Sequence, residues 1–234
     1  MKKIDITLLV CVIFLTLFGL FMIYDVSSFV AFRDFMDKYH YIKSQVFWVV
    51  LGFVSLAFFS YFDYRKLYNL SLPILLLAIV LLILVFIPGI GVYLQGARRW
   101  INTGFFLFQP AEFVKLALAI YLASWLSSKE KGRLGAFLLL LGLIVLLVIL
   151  QPDMGTAVVI LSEAFIVYFL SGGNLLYFAG LIPAVLAIGF ILIKIAPYRL
   201  KRLESFLDIN QSIESSSYHV KQILIALGSG GIFG

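Results

Sequence analysis

Long apolar runs alternate with short polar breaks along the whole chain. A transmembrane helix needs about 20 mostly apolar residues, with a range of roughly 17 to 25. Seven runs meet that length: residues 6–24, 45–62, 70–88, 110–126, 134–150, 154–170 and 174–195. The stretch 134–170 is too long for one crossing. QPDM at 151–154 divides it into a hairpin, because Pro and Asp are costly inside a lipid-facing helix. After the last run the pattern changes. PYRLKRLESFL, residues 197–207, sets Leu200, Leu203, Phe206 and Leu207 against Arg199, Lys201 and Arg202. That is the spacing of an amphipathic helix lying on a membrane surface. DINQSIESSS reads as a polar loop, YHVKQILIAL as a second short helix and GSGGIFG as a flexible Gly-rich end. The pattern predicts an all-α, polytopic membrane protein. Residues 1–196 form the transmembrane bundle, and residues 197–234 begin a large loop on its outer side. With no closing span and no polar tail, the chain reads as cut rather than finished.

Composition strengthens this reading. Of 234 residues, 63% are hydrophobic and 13% charged, against about 25% charged in a soluble domain. In such a chain the net charge of +6 points to cytoplasmic loops and anionic headgroups rather than to nucleic acid. The MKK start and the following apolar run resemble a signal peptide. The run is long enough to span, however, and no small-x-small cleavage site follows, so it reads as an uncleaved first helix. Cys11 is the single cysteine, which excludes an intrachain disulfide. With the N-terminus inside, inner segments hold Lys2, Lys3, Arg65, Lys66, Lys129, Lys131 and Arg133. Outer segments hold Arg33, Lys38, Lys43, Arg98 and Arg99. The positive-inside rule thus favours a cytoplasmic N-terminus, with both polar clusters, 96–115 and 151–156, facing the outer leaflet.

Those clusters hold the candidate chemistry. In Gln109-Pro110-Ala111-Glu112, Pro suits the first helical position and Glu suits the positive helix N-terminus. Lys115 follows Glu112 by three residues on the same face, about 8 Å into the span. The pair is either a neutralised structural lysine or a charged site in an outward cavity, since intramembrane charge is costly and usually functional. Gln151-Pro152-Asp153 repeats the grammar at the sixth span, with Thr156 one turn on. If the two helices are neighbours, Glu112 and Asp153 flank one lysine. Arg98 and Arg99 precede Trp100. They are either an interfacial anchor or a bidentate grip for phosphate. Glu163 lies mid-span with no assigned role, and His40 and His219 do not form a metal pair. The Gly-rich run 228–234 lacks the Gly-Lys-Ser/Thr of a phosphate-binding loop. No cofactor or metal motif is present; dependence on a divalent cation is not encoded in any motif here.

GARRWINTGFFLFQPAEFVKLALAIYLA, QPDMGTA, RLESFLD and YHVKQILIALGSGGIFG, in that order, closely resemble the SEDS family (shape, elongation, division and sporulation; RodA/FtsW-type). PGIGVYLQGARRWI and MIYDVSS resemble the FtsW type slightly more than the RodA type. Two departures stand out. Ala111 replaces the family's usual Ser, and Lys221-Gln222-Ile223 stands where a Gln-Ser pair is common. The resemblance implies about ten spans, of which seven are here. It implies a peptidoglycan glycosyltransferase that polymerises lipid II outside the cytoplasmic membrane, paired with a class B penicillin-binding protein. It gives Arg99, Glu112, Lys115 and Asp153 a supporting role in a polar cavity; Arg98, Gln109, Gln151 and Thr156, from the same two clusters, complete the candidates for substrate binding or cavity support. The family's catalytic Asp lies in a motif beyond Gly234, so the resemblance implies that residues 1–234 alone are inactive. A lipid II flippase and a non-catalytic scaffold of the division or elongation machinery are the alternatives. Helix breaks at the outer surface rather than at mid-membrane speak against transport.

Overall fold

The structure, a computed structural model, describes residues 5–94, 96–127, 134–173 and 218–230, with isolated helical positions between 180 and 194. Two compact units, Met1–Ser124 and Trp125–Gly234, divide the chain.

The first unit opens with α1 (Ile6–Phe35) and α2 (His40–Tyr61). Asp5 caps α1, its carboxylate accepting from the Leu8 N–H at 3.0 Å. The helix runs 11 residues past the predicted 6–24 span. Hydropathy falls at Asp25, but nothing there breaks the backbone ladder. Ser27 returns its hydroxyl to the Ile23 carbonyl at 2.5 Å, and the helix stops only at Met36, in left-handed conformation with φ 57. At 1.5 Å per residue α1 is about 45 Å long, so it outreaches a hydrocarbon core of about 30 Å.

The α1–α2 loop is tied by charge. Asp37 accepts from Lys43 Nζ at 2.7 Å and from the Tyr39 N–H at 2.9 Å. The Lys43 hydrogen bond, aided by that N–H, holds the Asp37 carboxyl below its ordinary range. Beside it Phe35 stacks on His40 and Tyr24 on Tyr39.

Only Ala31 of α1 and no residue of α2 is buried. Apolar faces of this kind need lipid or further protein to cover them. Polar side chains within them return their hydroxyls to carbonyls one turn back, as Thr16 does to Val12 and Ser55 to Leu51.

Helix α3 (Lys66–Leu84) buries Ser71, Leu75, Ala78 and Leu82, one stripe at helical spacing. It ends before the predicted residue 88, because Pro88 disfavours helical geometry at the residue before it. A three-stranded antiparallel sheet follows: β1 (Gly91–Leu94), β2 (Ala97–Asn102) and β3 (Leu107–Phe108). The all-α character stands for the spans, and this small sheet is an addition to it. Helix α4 (Pro110–Leu126) then carries the chain into the second unit. Its Ser124 hydroxyl meets that of Ser71 at 3.2 Å, and both reach the Tyr68 carbonyl. This polar link fastens α4 to α3 where apolar contact alone supplies little preference.

In the second unit α5 (Leu134–Leu150) and α6 (Met154–Leu170) form the predicted hairpin. Phe137, Leu141, Ile144 and Val148 are the buried face of α5, and Ala157, Ile160, Ala164 and Tyr168 that of α6. The Phe137 and Tyr168 rings lie 4.9 Å apart. The predicted spans 110–126, 134–150 and 154–170 coincide with α4, α5 and α6. The predicted span 174–195 and the amphipathic segment 197–207 lie outside the described residues, apart from isolated positions. Helix α7 (Tyr218–Gly230) includes Gly228, Ser229 and Gly230, which the sequence reading assigned to a flexible end. The helix runs through both glycines, and the Ser229 hydroxyl bonds to the Ile225 carbonyl at 2.7 Å.

Among the described residues, α1, α2 and α3 are long and apolar enough to cross a membrane. Helices α4, α5 and α6 have 17 residues each, the lower limit of a crossing. The protein is a multi-pass membrane protein.

Candidate functional site

Arg98 and Arg99 lie on β2. Tyr93 pairs with Arg98 and Val92 with Trp100, so Arg99 is the extra residue of a β-bulge. Bulges re-aim side chains that regular alternation would send to opposite faces. Arg98 is exposed and Arg99 half-buried. β2 pairs with β3 through Ile101–Phe108 and Asn102–Leu107. Only Gln109 separates β3 from α4. The arginine strand is therefore held at the N-terminal end of α4 by one two-residue strand.

At that end Pro110 occupies the first helical position, and the Glu112 N–H bonds to the Gln109 carbonyl at 3.1 Å. Glu112 sits in the first turn, where the helix dipole favours an anion. Its Oε2 meets Lys115 Nζ at 2.7 Å. The Lys115 side chain is 26% exposed and that of Glu112 56%. The pair thus flanks the buried stripe of Ala111, Val114, Ala117 and Leu118 and opens outward from it. An ammonium and a carboxylate in contact are tolerated at the edge of a bilayer where either alone is costly.

The second cluster has a different geometry. Gln151 is buried in the turn after α5. Asp153 is the N-cap of α6, its Oδ1 accepting from the Thr156 N–H at 3.1 Å. The repeated Gln-Pro-acid grammar is therefore not a repeated structure. Pro110 opens α4 with Glu112 inside the helix, whereas Pro152 lies before α6 with Asp153 as its cap. Asp153→Ala removes this cap and is expected to cost about 1 kcal/mol. Thermal unfolding in detergent should show the loss, with Asp153→Asn close to the parent.

Sequence reasoning missed the sheet. Its signal was the pair of short runs GVYL and ARRWIN, with two residues between them ending in Gly96, whose φ is +83. It also missed the edge-to-face contact of Trp48 on α2 with Phe106, 5.4 Å between centroids. No local pattern announces that contact.

Residues 5–234 match the family model for FtsW, RodA and SpoVE, described as cell cycle proteins. The chain belongs to this family. It is 34% identical over 237 residues to the probable peptidoglycan glycosyltransferase FtsW of Geobacter sp. (strain M18), covering 98% of this chain and 64% of that protein. It is 34% identical over 239 residues to stage V sporulation protein E of Bacillus subtilis (strain 168), covering 98% and 64%. The FtsW names among its relatives agree with the FtsW-type leaning of the sequence. Among solved structures, a peptidoglycan synthase complex, described as coordinating polymerization and crosslinking, matches with TM-score 0.67 and 29% identity, over 93% of this chain and 65% of that one. The rod shape determining protein RodA of Thermus thermophilus matches with TM-score 0.57 and 29% identity, over 74% and 58%. The chain thus spans 58 to 65% of the length of these relatives.

Proposed function

We propose that this SEDS-family chain forms the membrane-embedded part of a peptidoglycan glycosyltransferase that polymerises lipid II. The observation that carries the reading is the arginine strand leading, through β3, straight into the acid–lysine start of α4. In the reaction a sugar hydroxyl attacks the anomeric carbon of a lipid-linked disaccharide. The bond from that carbon to the pyrophosphate breaks, undecaprenyl pyrophosphate leaves, and the hydroxyl proton passes to a base. The charge that develops is on the leaving pyrophosphate, and cationic side chains aimed there lower the barrier. Arg98 and Arg99 supply two forked donors suited to phosphate. Lys115 supplies a third cation, held in place by Glu112. Gln109 begins the same helix, and Gln151, Asp153 and Thr156 shape the turn that opens α6. No residue here is assigned as the base. The N-terminus is cytoplasmic in this reading, which sets the arginine strand on the outer side. The partner is a class B penicillin-binding transpeptidase, supported by the similarity to a peptidoglycan synthase complex.

Arg99→Lys tests the reading in the full-length protein. It keeps the charge and loses the two-pronged grip, so lipid II binding is expected to weaken about 10-fold, as for one charge-assisted hydrogen bond of about 1.5 kcal/mol. Binding equal to wild type with Arg99→Lys, alongside loss with Arg99→Ala, would reduce the role of Arg99 to charge alone. Wild-type binding by both variants would remove Arg99 from the site.

A further inference from the structure

The turn between β2 and β3 projects the most exposed large apolar side chain among the described residues: Phe105 is 98% exposed, with Phe106 and Leu107 beside it. Helix α2 runs away from the α1–α2 loop and α3 returns, so the sheet lies on the side of that loop. The Asp37–Lys43 ion pair marks the charged level there. Trp48 lies five residues beyond Lys43 along α2, about 8 Å further into the membrane. Phe106 meets Trp48 edge to face at 5.4 Å between centroids. The turn therefore reaches below the charged level, alongside a helix that has no buried residue.

We propose that the β2–β3 turn, residues 103–106, is a wedge that seats Phe105 among the phospholipid acyl chains of the leaflet next to the α1–α2 loop.

A second observation supports this. Backbone in hydrocarbon must satisfy its own polar groups, and four hydrogen bonds within this turn meet part of that demand. The Thr103 hydroxyl donates to the Phe106 carbonyl at 2.8 Å and accepts from the Phe106 N–H at 3.2 Å. The Thr103 N–H donates to the same carbonyl at 3.1 Å, and the Gly104 N–H to Asn102 Oδ1 at 2.9 Å. Gly104, with φ +88, takes the left-handed conformation that lets the chain reverse in so few residues. Charge fits as well. Arg99 lies four residues behind Thr103, up to about 13 Å along the strand, a distance that returns it to headgroup level when the tip is in the acyl region. Aromatic tips with cations behind them are the composition of an interfacial anchor. The proposal holds for either orientation of the protein and does not depend on its enzymatic reading.

The test uses the full-length protein in phosphatidylcholine/phosphatidylglycerol vesicles. Cys11→Ser supplies a cysteine-free background within residues 1–234, and any cysteine elsewhere in the protein is replaced likewise. Nitroxide labels are placed at Phe105→Cys, Leu107→Cys and, as the aqueous reference, Lys38→Cys. Collision with dissolved oxygen, which concentrates in lipid, is compared with collision with a water-soluble nickel complex. The oxygen-to-nickel ratio is expected to be several-fold higher at Phe105 than at Lys38, with Leu107 between them. A ratio at Phe105 equal to that at Lys38 would place the turn in water and overturn the wedge. Low accessibility to both reagents would place it against protein and overturn the wedge equally. If the Phe105 label prevents reconstitution, Leu107 decides: a ratio no higher than at Lys38 rejects the proposal.

Discussion

Lys115→Ala in the full-length protein is expected to abolish lipid II polymerisation while membrane insertion stays intact. Insertion depends on the apolar runs, which the substitution lengthens rather than interrupts. Activity depends on what the lysine does. Its Nζ lies 2.7 Å from Glu112 Oε2, and its side chain is a quarter exposed. A lysine needed only to neutralise Glu112 has no reason to sit inside an apolar helix, because an apolar residue at both positions is cheaper. In the function proposed above, the pair acts through the field it presents at the start of α4. Removing one preorganised charge from a site where negative charge develops lowers the rate by about 10²-fold or more. A double variant, Glu112→Gln with Lys115→Met, separates the two roles. It removes both charges, so stability in detergent should recover relative to Lys115→Ala, while polymerisation should not. The measurement is glycan length from labelled lipid II with purified protein. Near-normal polymer from Lys115→Ala would end the functional reading of the pair.

The second large effect is expected at Gly91, the first residue of β1. A Cβ there would overlap the backbone carbonyl of Val85, the residue that caps α3 and is itself fully buried. The Gly91 N–H also bonds back to the Ile87 carbonyl at 3.1 Å, which pulls the strand against the end of the helix. No rotamer moves a Cβ away from a backbone carbonyl, so either β1 or the last turn of α3 must shift. Gly91→Ala is expected to destabilise the protein by about 1 to 3 kcal/mol, the usual cost of overpacking. Because β1 pairs with the strand that carries Arg98 and Arg99, lipid II affinity should fall with it. Gly142→Ala is the control. Gly142 lies in α5 with open space where a Cβ would stand, so the change should be neutral or stabilising by up to about 1 kcal/mol. Equal melting temperatures for the two variants would show that Gly91 tolerates a side chain and that the close approach does not govern the sheet.

The helices were legible to different degrees, for physical reasons. The starts of α4 and α6 were read correctly because Pro110 and the QPDM break act on the local backbone. The end of α1 was not, because hydropathy reports where lipid stops and not where helical hydrogen bonding stops. Asp25, Ser27 and Ser28 leave the apolar slab but remain helical. The pairing of Glu112 with Lys115 was legible from spacing, since residues three apart share a helix face. The sheet was not read, because strands of four, six and two residues carry too little periodicity to stand out between two spans.

The sequence by itself determined that this protein crosses the membrane several times, where α4, α5 and α6 begin and end, and which family it belongs to. These properties rest on apolar length, on helix-breaking residues and on ordered motifs, all of them local along the chain. Only the tertiary structure decided that Arg99 is the extra residue of a bulge, that Asp153 is a cap rather than a counterpart of Glu112, and that Phe106 rests on Trp48. Strand register depends on which residues of two strands face each other, cap geometry on backbone angles, and a ring contact on folding across 58 positions of chain. Helical hydrogen bonds reach four residues and leave a period to read, whereas contacts between distant residues leave none.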